Sequence, residues 1–295
     1  MKRREFLRLV GASLTIGSLD GRFNGLFAAS PSVVSVAEGN DYPEATRRAI
    51  TALGGIQKFV KPGNVVVVKP NLAWDRKPEF AATTHPLVIK TIVEECLKAG
   101  AKKVKVFDNP CNDPRRCYER SGAQEALKGL GNVELKYMDE ERYKNVKLKG
   151  VFLKEWPLYD EALSADVLIN VPVAKHHGLT KLTLALKNMM GIMGGNRGYI
   201  HRAIEEALAD VNSMVRSHLV VIDATRILLD HGPQGGNLKD VRVLNKIVAS
   251  RDIVAADAYA TTLFGLRPED ITTTVTAFRR GMGEMNLNKV RIIRA

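Results

Sequence analysis

Short β-branched runs recur along the chain at residues 33–36, 65–68, 104–107, 133–137, 167–171, 219–222 and 243–248. Several are almost wholly apolar, the pattern of strands covered on both faces. Between them, apolar positions repeat at helical spacing over 42–60, 86–99, 201–214 and 252–264. This alternation predicts an α/β fold: a doubly wound, mostly parallel sheet with helices on both faces. Lys61-Pro-Gly-Asn64 has the residues of a type II turn just before a strand. Pro86 suits a first helical turn, with Thr84 or His85 as its cap. Residues 140–165 show mixed periodicity and are expected to form a small insertion or strand pair within a single domain spanning 31–295.

Residues 177–188 read as a helix following a strand. Thr180, Thr183 and Lys187 then fall on one face, with Leu182, Leu186 and Met189 on another. A line of two hydroxyls and an ammonium near a helix start suits a phosphate or carboxylate; a solvated face is the alternative. Residues 189–198 hold four glycines and no strong period. They read as a mobile lid able to bring Arg197 onto an anion.

In open α/β sheets, ligands gather outside the carboxyl ends of the strands. Four predicted strand ends run into Lys69-Pro-Asn71, Asp108-Asn109, Lys175-His-His177 and Asp223-Ala-Thr225. Lys69, Asn71, Asp108, Lys175, Thr180, Thr183, Asn188, Arg197 and Asp223 are therefore the candidate ligand-binding residues. His85, His177 and Lys187 are the candidate catalytic groups. A neutral His85 at a helix N-terminus suits a general base or a metal ligand, and equally a helix cap. A divalent metal held by His85, His177 and His201 with Asp108 is chemically sensible, although no H-x-x-x-H or C-x-x-C spacing supports it.

Composition narrows the field. The chain is 45% hydrophobic and 26% charged, ordinary for a globular protein, and no uncharged apolar run approaches the roughly 18 residues of a membrane span. The net charge is +12, with only three of those charges contributed by residues 1–29. Basic clusters are short and aromatics make up 6%, which argues against nucleic acid and for a scattered field attracting small anions. Three cysteines cannot supply the four thiolates of an iron–sulfur cluster from this chain. Cys96 reads as a core residue, whereas Cys111 and Cys117 are spaced either to form a disulfide in an oxidising compartment or to remain thiols. Dinucleotide and P-loop glycine motifs and the G-x-S-x-G elbow are missing.

Met1-Lys-Arg-Arg-Glu-Phe-Leu-Arg8 matches a twin-arginine export signal, and the 11 uncharged residues from Leu9 to Leu19 have the size of a signal h-region. Residues 1–30 are accordingly expected to be a leader directing the chain to the export machinery and an extracytoplasmic or periplasmic location. Ala28-Ala-Ser30 is a loose cleavage site, leaving a retained anchor as the alternative.

Val67-Val-Lys-Pro-Asn-Leu72, Ala82-Thr-Thr-His-Pro86, Ile169-Asn-Val-Pro-Val-Ala-Lys175, Leu184-Ala-Leu-Lys-Asn-Met-Met-Gly191, Val221-Ile-Asp-Ala-Thr225 and Ala249-Ser-Arg-Asp252 occur in that order. Together they resemble the bacterial and archaeal family known as domain of unknown function 362. The resemblance implies an α/β domain and, for many members, ferredoxin-type clusters whose cysteines this chain lacks. Two functional expectations follow. One is an exported enzyme that binds a small anionic or metal-associated ligand at the strand ends. The other is a non-catalytic accessory protein that carries a cofactor or docks to an exported redox partner.

Overall fold

The computed structural model describes residues 31–295. The twin-arginine motif, its apolar stretch and the candidate cleavage site lie outside the described residues. The first half of the chain contributes β1 (Val33–Glu38), α1 (Tyr42–Thr51), β2 (Val65–Pro70), α2 (Pro86–Lys98), β3 (Lys103–Val106), α3 (Pro114–Arg120), α4 (Ala123–Leu127) and β4 (Val133–Leu135). Next come β5 (Tyr143–Lys147), β6 (Glu155–Tyr159), α5 (Asp160–Leu163), β7 (Val167–Val171), β8 (Val173–His177), β9 (Lys181–Thr183) and α6 (Ala185–Asn188). The chain closes with α7 (Ile204–Met214), β10 (Leu219–Leu228), β11 (Val241–Ser250), α8 (Ile253–Thr262), α9 (Thr272–Arg279) and β12 (Arg291–Arg294).

The main sheet runs β12-β1-β11-β10-β7-β2-β3-β4. Its β10-β7-β2-β3-β4 half is parallel throughout, while β11 lies antiparallel to both β1 and β10. The period-two alternation of buried strands sorts the core onto two faces. Val66, Val68, Val104 and Ile169 pack with Ile89 and Ile92 of α2 on one side. Val67 and Leu168 pack with Ala207 and Val211 of α7 on the other. The fold is thus an α/β sheet wound in both directions, as the apolar runs predict.

Two connections diverge from the adjacent strands β2 and β7. The crossover from β2 to β3 passes through α2 on one face, and the connection from β7 to β10 passes through α7 on the opposite face. Their divergence opens a crevice at the carboxyl end of β2, the switch point of such sheets. Residues 143–159 form a separate two-stranded antiparallel sheet, β5 with β6. The Asp210 carboxylate on α7 accepts the backbone N–H groups of Val151, Phe152 and Leu153, fixing that hairpin to the domain.

Local expectations need correction at three places. The helix expected over 42–60 stops at Thr51, because Gly54 and Gly55 turn the chain at φ +99° and +81°. The segment 177–188 is not one helix. β8 folds back on β9 with Lys175 opposite Thr183, and only residues 185–188 are helical. His177 drives the turn, its Nδ1 accepting the N–H groups of Leu179 and Thr180, and Lys181 adopts φ +59°. Residues 189–193, expected as part of a mobile lid, are core: Met189, Ile192 and Met193 are wholly buried against β6 and α7 side chains.

Candidate functional site

Four segments meet at the carboxyl end of β2. β2 itself ends in Lys69 and, beyond Pro70, Asn71, while β3 leads into Asp108. β8 carries Lys175, and α6 carries Lys187 and Asn188. Together with Ala73, Trp74, Asn109, Cys111, His177, Thr183, Met190, Gly191, Arg197 and Pro233 they line a cavity of ≈ 70 Å³. A water needs roughly 10–15 Å³ by the same measure, so the space fits a ligand of a few heavy atoms.

Lys69 forms the floor. Its Nζ donates to Pro70 O at 2.8 Å and Asn188 Oδ1 at 3.0 Å, and pairs with Asp108 Oδ1 at 2.7 Å. All three ammonium protons are thereby used. Burial pulls this ammonium below its ordinary value, with Asp108 opposing the shift. Asp108 is equally committed, since its Oδ2 accepts from Leu72 N at 2.7 Å and its Oδ1 also accepts from Asn109 N. Asn188 ties the floor together: its Oδ1 accepts from Asn71 Nδ2 as well as Lys69, and its Nδ2 donates to Asn170 Oδ1 at 2.8 Å.

The other cations lack a carboxylate partner among the described residues. Lys175 donates to Asn71 Oδ1 at 3.0 Å and to Ala82 O at 2.5 Å, leaving one proton unassigned. It is 1% exposed, and burial pushes its pKa down to about 7. Lys187 is 9% exposed, and its one hydrogen-bond partner among the described residues is Met190 Sδ at 3.0 Å. Burial, with Arg197 and Lys69 nearby, pushes its pKa down to about 8. Arg197 reaches over the cavity to donate to Asn109 O at 2.8 Å and Pro110 O at 3.0 Å. The buried Thr183 Oγ1 has no hydrogen-bond partner among the described residues, and the β8–β9 register sets it beside Lys175.

His177 lines the same cavity, but its Nδ1 is an acceptor for two backbone N–H groups. Burial and then Lys187 and Lys175 press its pKa down to about 3. The ring is therefore neutral and, with Nδ1 accepting, carries its proton on Nε2.

Lys69, Asn71, Asp108, Lys175, His177, Thr183, Lys187, Asn188 and Arg197 thus converge. His85, Thr180, His201 and Asp223 do not line the cavity. His85 caps α2, its Nδ1 accepting from Leu87 N, and sits edge-on to Tyr42. Thr180 donates its hydroxyl to Leu182 O. Asp223 accepts from His85 N and from the N–H and hydroxyl of Thr225, a loop-fixing role. His201 lies exposed on the 3-10 turn Arg197–Ala203. The metal set of His85, His177, His201 and Asp108 is accordingly not assembled. No group of three or more His, Cys, Asp or Glu side chains among the described residues is placed to hold a metal ion. The cavity's ammonium and guanidinium groups also repel a cation.

Cys111 and Cys117 are both free thiols, Cys117 buried in α3 and Cys111 on the cavity wall. The sequence reading missed Cys111, Trp74 and Gly191 as wall residues. For Cys111 a signal existed, three positions beyond the strand-end Asp108. For Gly191 the reason is steric, because a Cβ there collides with Asp108 Oδ1 and Lys69 Nζ.

A family profile described as Domain of unknown function (DUF362) matches residues 66–262, a segment that contains every cavity residue. A thylakoid-associated protein of Synechocystis sp. is 27% identical over 251 residues, covering 80% of this chain and 74% of that protein. Among solved structures, the lactate racemase apoprotein of Thermoanaerobacterium thermosaccharolyticum aligns at 10% identity with a TM-score of 0.47. That alignment covers 74% of this chain, which spans 54% of the racemase chain's length.

Proposed function

Since this chain belongs to the domain of unknown function DUF362 family, its chemistry has to be read from its own cavity, and we propose that it binds a small oxyanion there, a carboxylate or phosphate group. One observation carries the reading. Lys175 and Lys187 are buried in one cavity with no carboxylate to balance them among the described residues, beside an unpartnered Thr183 hydroxyl. Leaving a buried charge uncompensated costs several kcal/mol. Such an arrangement is favoured when a ligand supplies the missing negative charge.

The ligand's oxygens sit among Lys175 Nζ, Lys187 Nζ and Thr183 Oγ1, with the His177 Nε2–H as a further donor. Lys69 and Asp108, saturated by each other and by their neighbours, hold the floor and set its shape. Arg197 closes the cavity from above. The protein in this reading is an enzyme working on a small acid outside the cytoplasm, delivered by the twin-arginine signal. A matched relative is described as thylakoid-associated, which is compatible with a place at a membrane. No helix among the described residues is long and apolar enough to cross a membrane.

The test is calorimetric titration of the full chain with inorganic phosphate, acetate, glyoxylate and pyruvate at pH 7. Saturable binding of at least one of them to a single site is expected. Lys187→Gln should weaken it by about tenfold to a hundredfold, the worth of one charge-assisted hydrogen bond. Absence of binding across the four probes, or equal affinity in a Lys175→Met, Lys187→Gln double variant, rejects the proposal.

A further inference from the structure

The lysines of the cavity are not equivalent. Lys69 spends every proton on oxygen acceptors, and Lys175 spends two on the carbonyl oxygens of Asn71 and Ala82. Lys187 differs: its nitrogen meets only the weakly accepting thioether of Met190 among the described residues. It is nevertheless buried, fixed on α6 and surrounded by Lys69, Arg197 and Lys175.

Resting on the anion-binding reading above, we propose that Lys187 is an amine nucleophile that forms an imine with the carbonyl carbon of a short 2-oxo acid. The carboxylate of such a ligand occupies the cationic wall of Lys175 and Arg197, which places the adjacent carbonyl beside Lys187. A cavity of ≈ 70 Å³ limits the class to the smallest members, with two or three carbons. Burial first, and then Arg197 and Lys69, lower the Lys187 pKa to about 8, so a share of the empty cavity's Lys187 is free amine near neutral pH, the established way of activating a lysine nucleophile.

The step balances without a redox partner. The Lys187 lone pair forms the C–N bond while the carbonyl π pair moves to oxygen, and a proton passes from nitrogen to that oxygen. The resulting hydroxyl takes a second proton from solvent and leaves as water, giving a positively charged iminium. In a three-carbon acid the iminium then accepts the electron pair of a C–H bond on the neighbouring methyl carbon as that proton leaves to water, giving a neutral enamine. That is the electronic requirement for proton exchange at the methyl carbon.

Full-length protein is incubated with pyruvate or glyoxylate and sodium cyanoborohydride, and the product is weighed intact and mapped by peptide mass spectrometry. A single adduct of the reduced ligand's mass on Lys187 is expected. It should be lost in Lys187→Arg and kept in Lys128→Arg, a change at an exposed surface lysine away from the cavity. Binding of the oxo acid with no adduct, or with adducts scattered over surface lysines, overturns the imine and leaves the anion site standing. Neither binding nor adduct overturns both.

Discussion

Lys175 and Lys187 differ from Lys69 in what they leave unsatisfied. Lys175 has only carbonyl partners and a pKa pushed down to about 7, so an anion entering the cavity must raise it by favouring the ammonium. Binding is therefore coupled to proton uptake, and affinity should fall as pH rises through about 7 and then about 8, the value for Lys187. His177 stays neutral through this range, and Lys69, Arg197, Asp108 and Cys111 complete the facing groups. Calorimetry in two buffers of different ionisation enthalpy measures the protons taken up; equal heats at pH 8 would refute the coupling. The sign for folding is opposite. The unfolded chain holds a proton on Lys175 up to its ordinary value near 10.5, so between pH 7 and 10 the unfolded state binds more protons, and this residue's contribution to stability rises with pH. Wild type should thus gain stability relative to Lys175→Met across that window in parallel denaturant titrations. Gly191 is tuned by absence: the collision of any Cβ with Asp108 and Lys69 predicts that Gly191→Ala loses at least tenfold in anion affinity. It should also lose about 1–3 kcal/mol of stability, the usual cost of overpacking, and unaltered titration and melting curves would contradict that account.

Among the elements, α6 carries two of the cavity's central side chains, Lys187 and Asn188, on a helix too short to stand alone. Four residues make a single turn, far below the length at which a helix is stable by itself. Its first N–H groups are taken by the Asp257 carboxylate of α8, at 2.7 Å from Ala185 N and 3.0 Å from Leu186 N. Burial nonetheless pushes that carboxyl up to about 7. Asp257→Ala leaves two buried donors unpaired and should cost about 2–4 kcal/mol, releasing Lys187 and Asn188 from position; a variant that melts and binds as wild type does would show that the turn holds without it. Nothing local in the sequence marks this role of Asp257, because its partner is 72 positions away. The strand ends were legible for the opposite reason. A strand buried on both faces writes itself as an apolar run, so Lys69, Asp108 and Lys175 stand out where each run or its hairpin ends. The β8–β9 hairpin was hidden because Lys181-Leu-Thr-Leu-Ala-Leu186 satisfies the helical and the alternating periods together. What decides between them is the His177 ring accepting two backbone N–H groups, a contact that periodicity does not express.

For the molecule as a whole, the cavity exists only once the domain has closed. Its walls come from positions 69 to 233, and the bonds that shape it join residues more than a hundred positions apart, as between Lys69 and Asn188 or Asn71 and Lys175. A chain threaded unfolded across a membrane would have to make these pairings afterwards. A chain exported already folded carries the finished cavity, and any ligand taken up beforehand, with it. The paired Arg3 and Arg4 of the proposed leader would fit the second course, since twin-arginine export accepts folded cargo. Residues 1–30 joined to a reporter that fluoresces only when folded in the cytoplasm should deliver it, still fluorescent, beyond the inner membrane. Arg3→Lys with Arg4→Lys should hold the reporter in the cytoplasm without changing its amount. Fractionation followed by fluorescence separates the outcomes: a reporter retained with the native leader removes the export assignment, and one exported equally well by the double variant shows that the arginine pair is not what is read.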